Sequence, residues 1–265
     1  MTSSNTRSKR SRFAGLSRVI IFNWPLYVFA LISICTLCIL ALSPLLEHRY
    51  SFLLLAVACV AFLQILCSLL ASHWVYDLSS IGEWSWIGNS SATTADSNGF
   101  AKSTDRILMV NAGYDETDGQ LFEIFPTSEI ITVNLYPSLA RLEPSIVRAQ
   151  KLFPAKVKPV SNEICHWPVA DRSIDLLLVA FAAHEVRNHE DRVTLFLEMR
   201  RVLADSGRIV LIEHVQDLAN FFAYNIGAFH FLKYSDWISC VKEANLRIHN
   251  QFKITPFVRV FELCR

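Results

Sequence analysis

Leu26–Leu46 and Ser51–Ser72 are two uncharged apolar runs, parted only by Glu47-His48-Arg49-Tyr50. As a helix, each is long enough to cross a bilayer core of about 30 Å. So short a connection holds a turn and no domain, and backbone in hydrocarbon must satisfy its own hydrogen bonds. The pattern predicts a two-helix transmembrane hairpin. The first run exceeds the apolar core of a signal peptide and lacks a small-residue cleavage site. Gln64 is the one strongly polar side chain within the runs, and it reads as a helix–helix contact.

The flanks orient this hairpin. Residues 1–18 form a basic tail with Arg7, Lys9, Arg10, Arg12 and Arg18 and no acid, whereas Arg49 is the only Lys or Arg between the runs. The positive-inside rule then puts the N-terminus in the cytoplasm, and a two-span hairpin returns the C-terminal domain to the same side. Trp24 at one end and Trp74 with Tyr76 at the other are expected to share one interface. The hairpin region is bounded as 19–73. Residues 74–103 follow as an interfacial segment and linker: a Trp- and Tyr-rich stretch, readable as lying on the membrane or capping the domain, then a Ser/Thr/Gly/Asn-rich run from Asn89 to Ser103.

Residues 104–265 alternate in another way. Ile174–Phe181 is a continuous apolar run of strand length, as a parallel strand covered on both faces requires. An amphipathic helix follows, with Val193, Phe196, Leu197 and Leu203 on one stripe. Glu190 and Asp191 lie near its start and Arg200 and Arg201 near its end, as the helix dipole prefers. Gly207 is expected to stop it, and Arg208–Ile212 to form the next strand. Upstream, Arg106–Val110, Glu129–Val133 and Lys156–Val160 read as strands, and Glu116–Phe125 and Ser138–Leu152 as helices. Downstream, Ser235–Ala244 reads as a helix, then Leu246–Ile254 and Phe257–Leu263 as an antiparallel hairpin turning at Thr255-Pro256. The fold class is α/β: a doubly wound, mostly parallel, seven-stranded Rossmann-like sheet with a C-terminal antiparallel hairpin, preceded by the transmembrane pair.

A net charge of +1 speaks against a broad nucleic-acid surface. Cys35, Cys38, Cys59 and Cys67 fall within the apolar runs and Cys165, Cys240 and Cys264 are scattered, so the seven cysteines form no disulfide framework. Ligands of doubly wound sheets bind beyond the carboxyl ends of the strands. There this chain carries His184-Glu185 after one strand and Glu213-His214 after the next. His184 and His189 are five apart, not the four of a His-Glu-x-x-His zinc motif, so no metal site is expected. Asp217, Asn220 and His230 stand near Phe221, Phe222, Tyr224, Phe229 and Phe231. A polar cluster beside an aromatic wall suits an acceptor with a polar head and an apolar body.

The runs ADRSIDLLLVAFAAHEV and FLEMRRVLADSGRIVLIEH, with Trp167-Pro168-Val169, Ile174-Asp175 and Arg201-Val202-Leu203-Ala204-Asp205-Ser206-Gly207, resemble one family. It is the class I S-adenosylmethionine-dependent methyltransferases, within them the methyltransferase 11 group of ubiquinone/menaquinone type. The resemblance covers about 104–265 and implies S-adenosylmethionine as cofactor. It departs at the loop after the first strand. The family has acidic-x-Gly-x-Gly-x-Gly there, and this chain has Met109-Val110-Asn111-Ala112-Gly113-Tyr114-Asp115. Asn111, Gly113, Tyr114 and Asp115 stand at the cofactor position. Asn134 replaces the acid that usually holds the ribose hydroxyls, and Glu163 falls where an acid meets the adenine amine.

Methyl transfer needs alignment above all, and a base if the acceptor is a hydroxyl. His184 is the candidate base, with Glu185 and His214 beside it as catalytic candidates. Glu213, Asp217, Asn220 and His230 are candidates for binding substrate. The resulting expectation is a membrane-anchored methyltransferase whose partners are the lipid bilayer and a lipophilic small molecule. The competing expectation is a catalytically inactive module that keeps the fold for binding or scaffolding.

Overall fold

The computed structural model describes residues 11–84, 86–87, 105–117, 119–135, 143–154 and 157–265. The Asn89–Ser103 linker, most of the basic tail, and parts of the expected Ser138–Leu152 and Lys156–Val160 elements lie outside them. The chain divides into two units, Met1–Gly82 and Glu83–Arg265.

The first unit is a helical hairpin of α1 (Ala14–Ala41) and α2 (His48–His73). Both helices are long and apolar enough to span a membrane. The helix α1 begins well before the uncharged run and ends short of Leu46. It kinks at Asn23, where φ is −113° and Pro25 follows two residues on. The proline ring removes a donor and crowds the preceding turn, and at the kink the Asn23 side chain's Nδ2 donates to the Val19 carbonyl (3.0 Å). After α2 a wide turn over Trp74–Leu78 carries Asp77 back to the start of α1. The Gly15 and Leu16 amides donate to the two Asp77 carboxylate oxygens (2.6 and 2.9 Å), an anion at the positive end of a helix dipole. His73 Nδ1 holds the same carboxylate at 2.9 Å. Gly15 is the residue that lets this happen, because a Cβ there would stand 2.4 Å from the Tyr76 Cβ. Gly15, not Trp24, is therefore level with Tyr76. Trp24 lies nine residues further along α1, about 13 Å at 1.5 Å per residue.

The second unit holds a six-stranded sheet in the order β2-β1-β3-β4-β6-β5. Its elements are β1 (Arg106–Asn111), α3 (Gln120–Ile124), β2 (Glu129–Asn134), α4 (Pro144–Leu152), β3 (Ile174–Ala180), α5 (His189–Val202), β4 (Leu203–His214), α6 (Leu218–Tyr224), α7 (Tyr234–Glu243), β5 (Arg247–Thr255) and β6 (Val258–Cys264). Strands β2, β1, β3 and β4 run parallel, while β6 pairs antiparallel with both β4 and β5. The central strands are buried along their length, which is why they read as unbroken apolar runs. Phe196 of α5 and Trp237 of α7 pack ring to ring at 6.3 Å, with both side chains fully buried.

Three sequence expectations change. The sheet has six strands among the described residues rather than seven. Beside β2, in place of the expected strand, Val160 and Ser161 alone among the described residues of that stretch bond to it, through Val160 N–H to the Thr132 carbonyl (2.8 Å) and Asn134 N–H to the Ser161 carbonyl (3.0 Å). Pro154 and Pro159 deny that segment ladder donors. Second, α5 ends at Val202 and Leu203 already pairs with Ile174, so Gly207 lies inside β4. There a Cβ would stand 2.6 Å from the Ile174 carbonyl oxygen, and glycine is needed for close approach rather than to stop a helix. Third, α3 and α4 are shorter than expected: Asp115 organises the turn before one, and Pro144 opens the other. Trp84 and Ile87 are buried within the second unit, and the Ile87 carbonyl accepts from Arg208 Nη2 at 2.9 Å. Those residues of the Trp-rich stretch cap the sheet domain.

Candidate active site

The carboxyl ends of β3 and β4 are built from a strained turn and one buried charge. After Ala180 the chain enters the left-handed region at Phe181 (φ 49°). Bulky side chains avoid that region unless the surroundings enforce it. Here Phe181 N–H donates to the Ile212 carbonyl at 2.9 Å, and its ring lies 5.0 Å from His214. The turn delivers the one-turn helix Ala183–Glu185, all buried, over the end of β4. Glu213, with no solvent exposure, receives it. Its Oε1 accepts from the Ala183 and His184 amides (3.0 and 3.3 Å), and its Oε2 lies 2.7 Å from His184 Nδ1.

The chain of contacts continues outward. His184 Nε2 lies 3.0 Å from Glu185 Oε1, and the same oxygen is 3.3 Å from His230 Nε2. His230 Nδ1 then meets Glu143 Oε1 at 2.9 Å. Arg187 lies against this histidine, with Nη1 donating to the His230 carbonyl (2.5 Å) and Nη2 close to both ring nitrogens. The fold thus brings His184, Glu185, Glu213 and His230, dispersed over 47 residues, into one array, of which the first three are buried and His230 is half-buried. Sequence reading missed Glu143 and Arg187. Neither sits in a motif, and Glu143 meets His230 only through tertiary packing.

Burial alone would push the His184 imidazole down, but the Glu213 charge and the bonds to both carboxylates outweigh it and hold His184 at about 10. Burial opposes ionisation of Glu185, yet its bonds to His184 and His230 hold it well below the usual carboxylate range. His230 is raised despite burial, by Glu143 and Glu185, and Glu143 is lowered by its bond to His230. His184 is therefore an imidazolium between two carboxylates at neutral pH, and the carboxylates beside His230 shift it in the same direction. His214 behaves in the opposite way: burial pushes it down to about 4. Its Nδ1 meets the Phe257 carbonyl (3.0 Å) and its ring stacks on Phe231 at 4.7 Å. With Tyr224 edge-on to Phe231 and Phe257, these rings form an aromatic wall beside the array.

Other candidates lie elsewhere or act on the loop. Asp217 caps α6 through the Asn220 amide (3.0 Å) and pairs with Lys253 (2.9 Å). Asn220 Nδ2 donates to the Val215 and Phe257 carbonyls. Both hold the loop that follows β4. Phe222, Ile226 and Phe229 form an exposed apolar rim on α6 and the turn after it. His189 pairs with exposed Glu243 (3.0 Å), not with His184.

At the ends of β1 and β2, Asn111 and Asn134 stand in register, both buried. Asn111 Oδ1 accepts from the Gly113 amide (3.2 Å), while its Nδ2 is buried without a hydrogen-bond partner. Gly113 takes φ 96°, which admits glycine without strain. Asp115 spends its oxygens inside the loop, on the Thr117 amide and hydroxyl and the Gly119 amide. Tyr114 packs edge-on against Phe153. Glu163 is exposed, and its carbonyl takes the Trp167 indole N–H (2.8 Å). An orphaned amide donor beside a left-handed glycine, at the mouth of two parallel strands, fits a polar cofactor with hydroxyls to donate to.

Residues 112–211 match the family model described as a methyltransferase domain. That match covers the loop after β1 through most of β4. This stretch is similar to the methyltransferase domain family. Its fold is shared with an S-adenosylmethionine-dependent methyltransferase from Aquifex aeolicus, at TM-score 0.50 and 13% identity, over 76% of this chain and 97% of that one. It is also shared with the mitomycin 7-O-methyltransferase MmcR, at TM-score 0.52 and 11% identity, over 97% of this chain and 74% of that one. No curated protein matches the sequence. S-adenosylmethionine is the cofactor named for the Aquifex aeolicus enzyme.

Proposed function

We propose that this protein is a membrane-anchored methyltransferase that modifies a lipophilic acceptor with a polar, hydroxyl-bearing head. The observation that carries the reading is the pairing of the His184–Glu185–Glu213–His230 array with the His214–Phe231–Tyr224 wall at the ends of β3 and β4. The array offers charged hydrogen-bonding groups to a head, and the rings offer apolar surface to a body. Phe222, Ile226 and Phe229, each more than 60% exposed, extend that apolar surface to the outside. Exposed patches of this kind mark binding or membrane contact. The two long apolar helices supply the anchor, and the basic tail supports a cytoplasmic N-terminus and domain.

S-adenosylmethionine, when bound, supplies an electrophilic methyl group on a sulfonium. Asn111 Nδ2 and Asn134 would bind it at the ends of β1 and β2. The acceptor head would lie against His184 and Glu185. Glu213 fixes the His184 ring through Nδ1 and turns Nε2 toward the acceptor side. Because both nitrogens of His184 are held by carboxylates, the resting imidazole donates a proton rather than taking one. His184 becomes a base only after that proton is displaced.

Transfer of a labelled methyl group from S-adenosylmethionine into a membrane lipid extract, by the full-length protein in detergent, tests this reading. Label in a lipid-phase product is expected, and label confined to water-soluble acceptors would overturn the acceptor class. For topology, a C-terminal tag should be protected from protease in intact cells. Digestion from outside would reverse the orientation.

A further inference from the structure

We propose that His184 Nε2, Glu185 Oε1 and His230 Nε2 form a three-ligand site for a first-row divalent cation of the zinc class. Its open coordination position faces the acceptor.

The geometry is that of a ligand set. The three atoms lie within 4.8 Å of one another, with Glu185 Oε1 at 3.0 Å from one imidazole nitrogen and 3.3 Å from the other. Ligands about 2.0–2.1 Å from a tetrahedral zinc stand roughly 3.3 Å apart. The two separations that include Glu185 already lie within a few tenths of an ångström of that spacing. The third, between the two imidazoles, is no more than 4.8 Å. It closes to that spacing by a movement of up to about 1.5 Å of the His230 ring, which is the less buried of the two.

The outer nitrogens give an independent reason. Metal-binding histidines nearly always direct the second ring nitrogen at a carboxylate or carbonyl, which fixes the tautomer and orients the ring. Both histidines here do so: His184 Nδ1 to fully buried Glu213 (2.7 Å) and His230 Nδ1 to Glu143 (2.9 Å). The Ala183 and His184 amides anchor the other Glu213 oxygen. The support is thus built from main chain as well as side chain.

Charge agrees. With both imidazoles neutral, Glu143, Glu185 and Glu213 carry three negative charges against one from Arg187, and a dication closes the difference. Two nitrogens and one oxygen select zinc, cobalt or manganese over magnesium or calcium, which prefer all-oxygen ligands. Arg187 Nη2 lies 3.0 Å from His230 Nε2, so this guanidinium competes with the cation and must withdraw. The His189–Glu243 pair shows the contrast: exposed, two-membered and with no third ligand. The site's use in transfer rests on the acceptor reading above, whereas cation binding does not.

The test uses the full-length protein in detergent after treatment with chelator. Cobalt(II) is titrated by visible absorption and zinc by calorimetry, and S-adenosylmethionine binding is measured on the same sample. One equivalent of cobalt with intense four- or five-coordinate ligand-field bands is expected, displaced by zinc and not by equimolar magnesium. His230→Ala and Glu185→Gln should abolish the bands, Glu143→Gln should weaken affinity by about 10–100-fold, and Arg187→Ala should tighten it. His189→Ala should change nothing. Wild-type protein that gives no bands overturns the site, and so do bands that survive His230→Ala and Glu185→Gln but vanish with His189→Ala. If the cation binds but S-adenosylmethionine does not, the methyltransferase reading fails while the metal site stands. The reverse result sinks the metal site alone.

Discussion

Glu213 and His184 face each other across the ends of two adjacent parallel strands, carboxylate oxygen to imidazole nitrogen at 2.7 Å, with Glu213 sealed from solvent. A buried charge of this kind needs its partner, because removing one side leaves the other uncompensated. The His184 value near 10 lies above the ordinary histidine value of 6.5. The stability it contributes is full below about 6.5 and is lost as pH rises through about 10. In chelator-treated protein, thermal unfolding should therefore show an alkaline decline over that window. Glu213→Gln should flatten the decline and cost about 3–5 kcal/mol at pH 7. An unchanged alkaline arm in the variant would disprove the coupling.

His214 predicts an acidic arm. Burial holds it at about 4 against an ordinary 6.5, so the unfolded chain binds a proton that the folded one refuses. Stability should fall as pH drops from about 6.5 to about 4 and level off below, as far as this group contributes. His214→Gln should remove that component of the acid slope. Denaturant midpoints at half-unit pH steps would show it.

Asn111 separates binding from folding. Its Oδ1 supports the Gly113 amide, but its Nδ2 has no hydrogen-bond partner within the protein. Asn111→Ala should cost only about 1 kcal/mol of stability. It should weaken S-adenosylmethionine at least tenfold by calorimetry. Equal affinity in the variant would remove Asn111 from the cofactor site.

Gly207 tests the β3–β4 packing. A methyl group there meets the Ile174 carbonyl oxygen at 2.6 Å and the Leu203 side chain at 2.9 Å. Gly207→Ala should lower stability by about 1–3 kcal/mol, the usual range for overpacking. If it is neutral in thermal unfolding, the strands part more readily there than the geometry implies.

Much of this fold was legible because its strongest signals are local. Ile174–Ala180 reads as a buried strand from its own residues, and two uncharged runs of membrane length read as helices wherever they begin. Boundaries set by partners were not legible. Leu203 leaves α5 because Ile174 is there to pair with it, and Val157–Val160 forms almost no ladder because Pro159 cannot donate. The site divides the same way. His184 and Glu185 announce themselves at a strand end, but nothing local says that Glu213 will stand behind His184, or that Glu143 will stand behind His230. Those pairings exist only after the chain has closed on itself.

The array also makes sheet register a chemical variable. Side chains on a strand alternate faces, and β4 ends in Glu213 followed by His214. A slip of one residue between β3 and β4 would swing Glu213 to the far side and bring His214 up against His184, replacing an acid–base contact with two imidazoles. Insertions or deletions in the 203–208 stretch should therefore silence the protein even when every named side chain is intact and the sheet still forms. The alignment of these two strands decides whether an acid or a second imidazole faces His184.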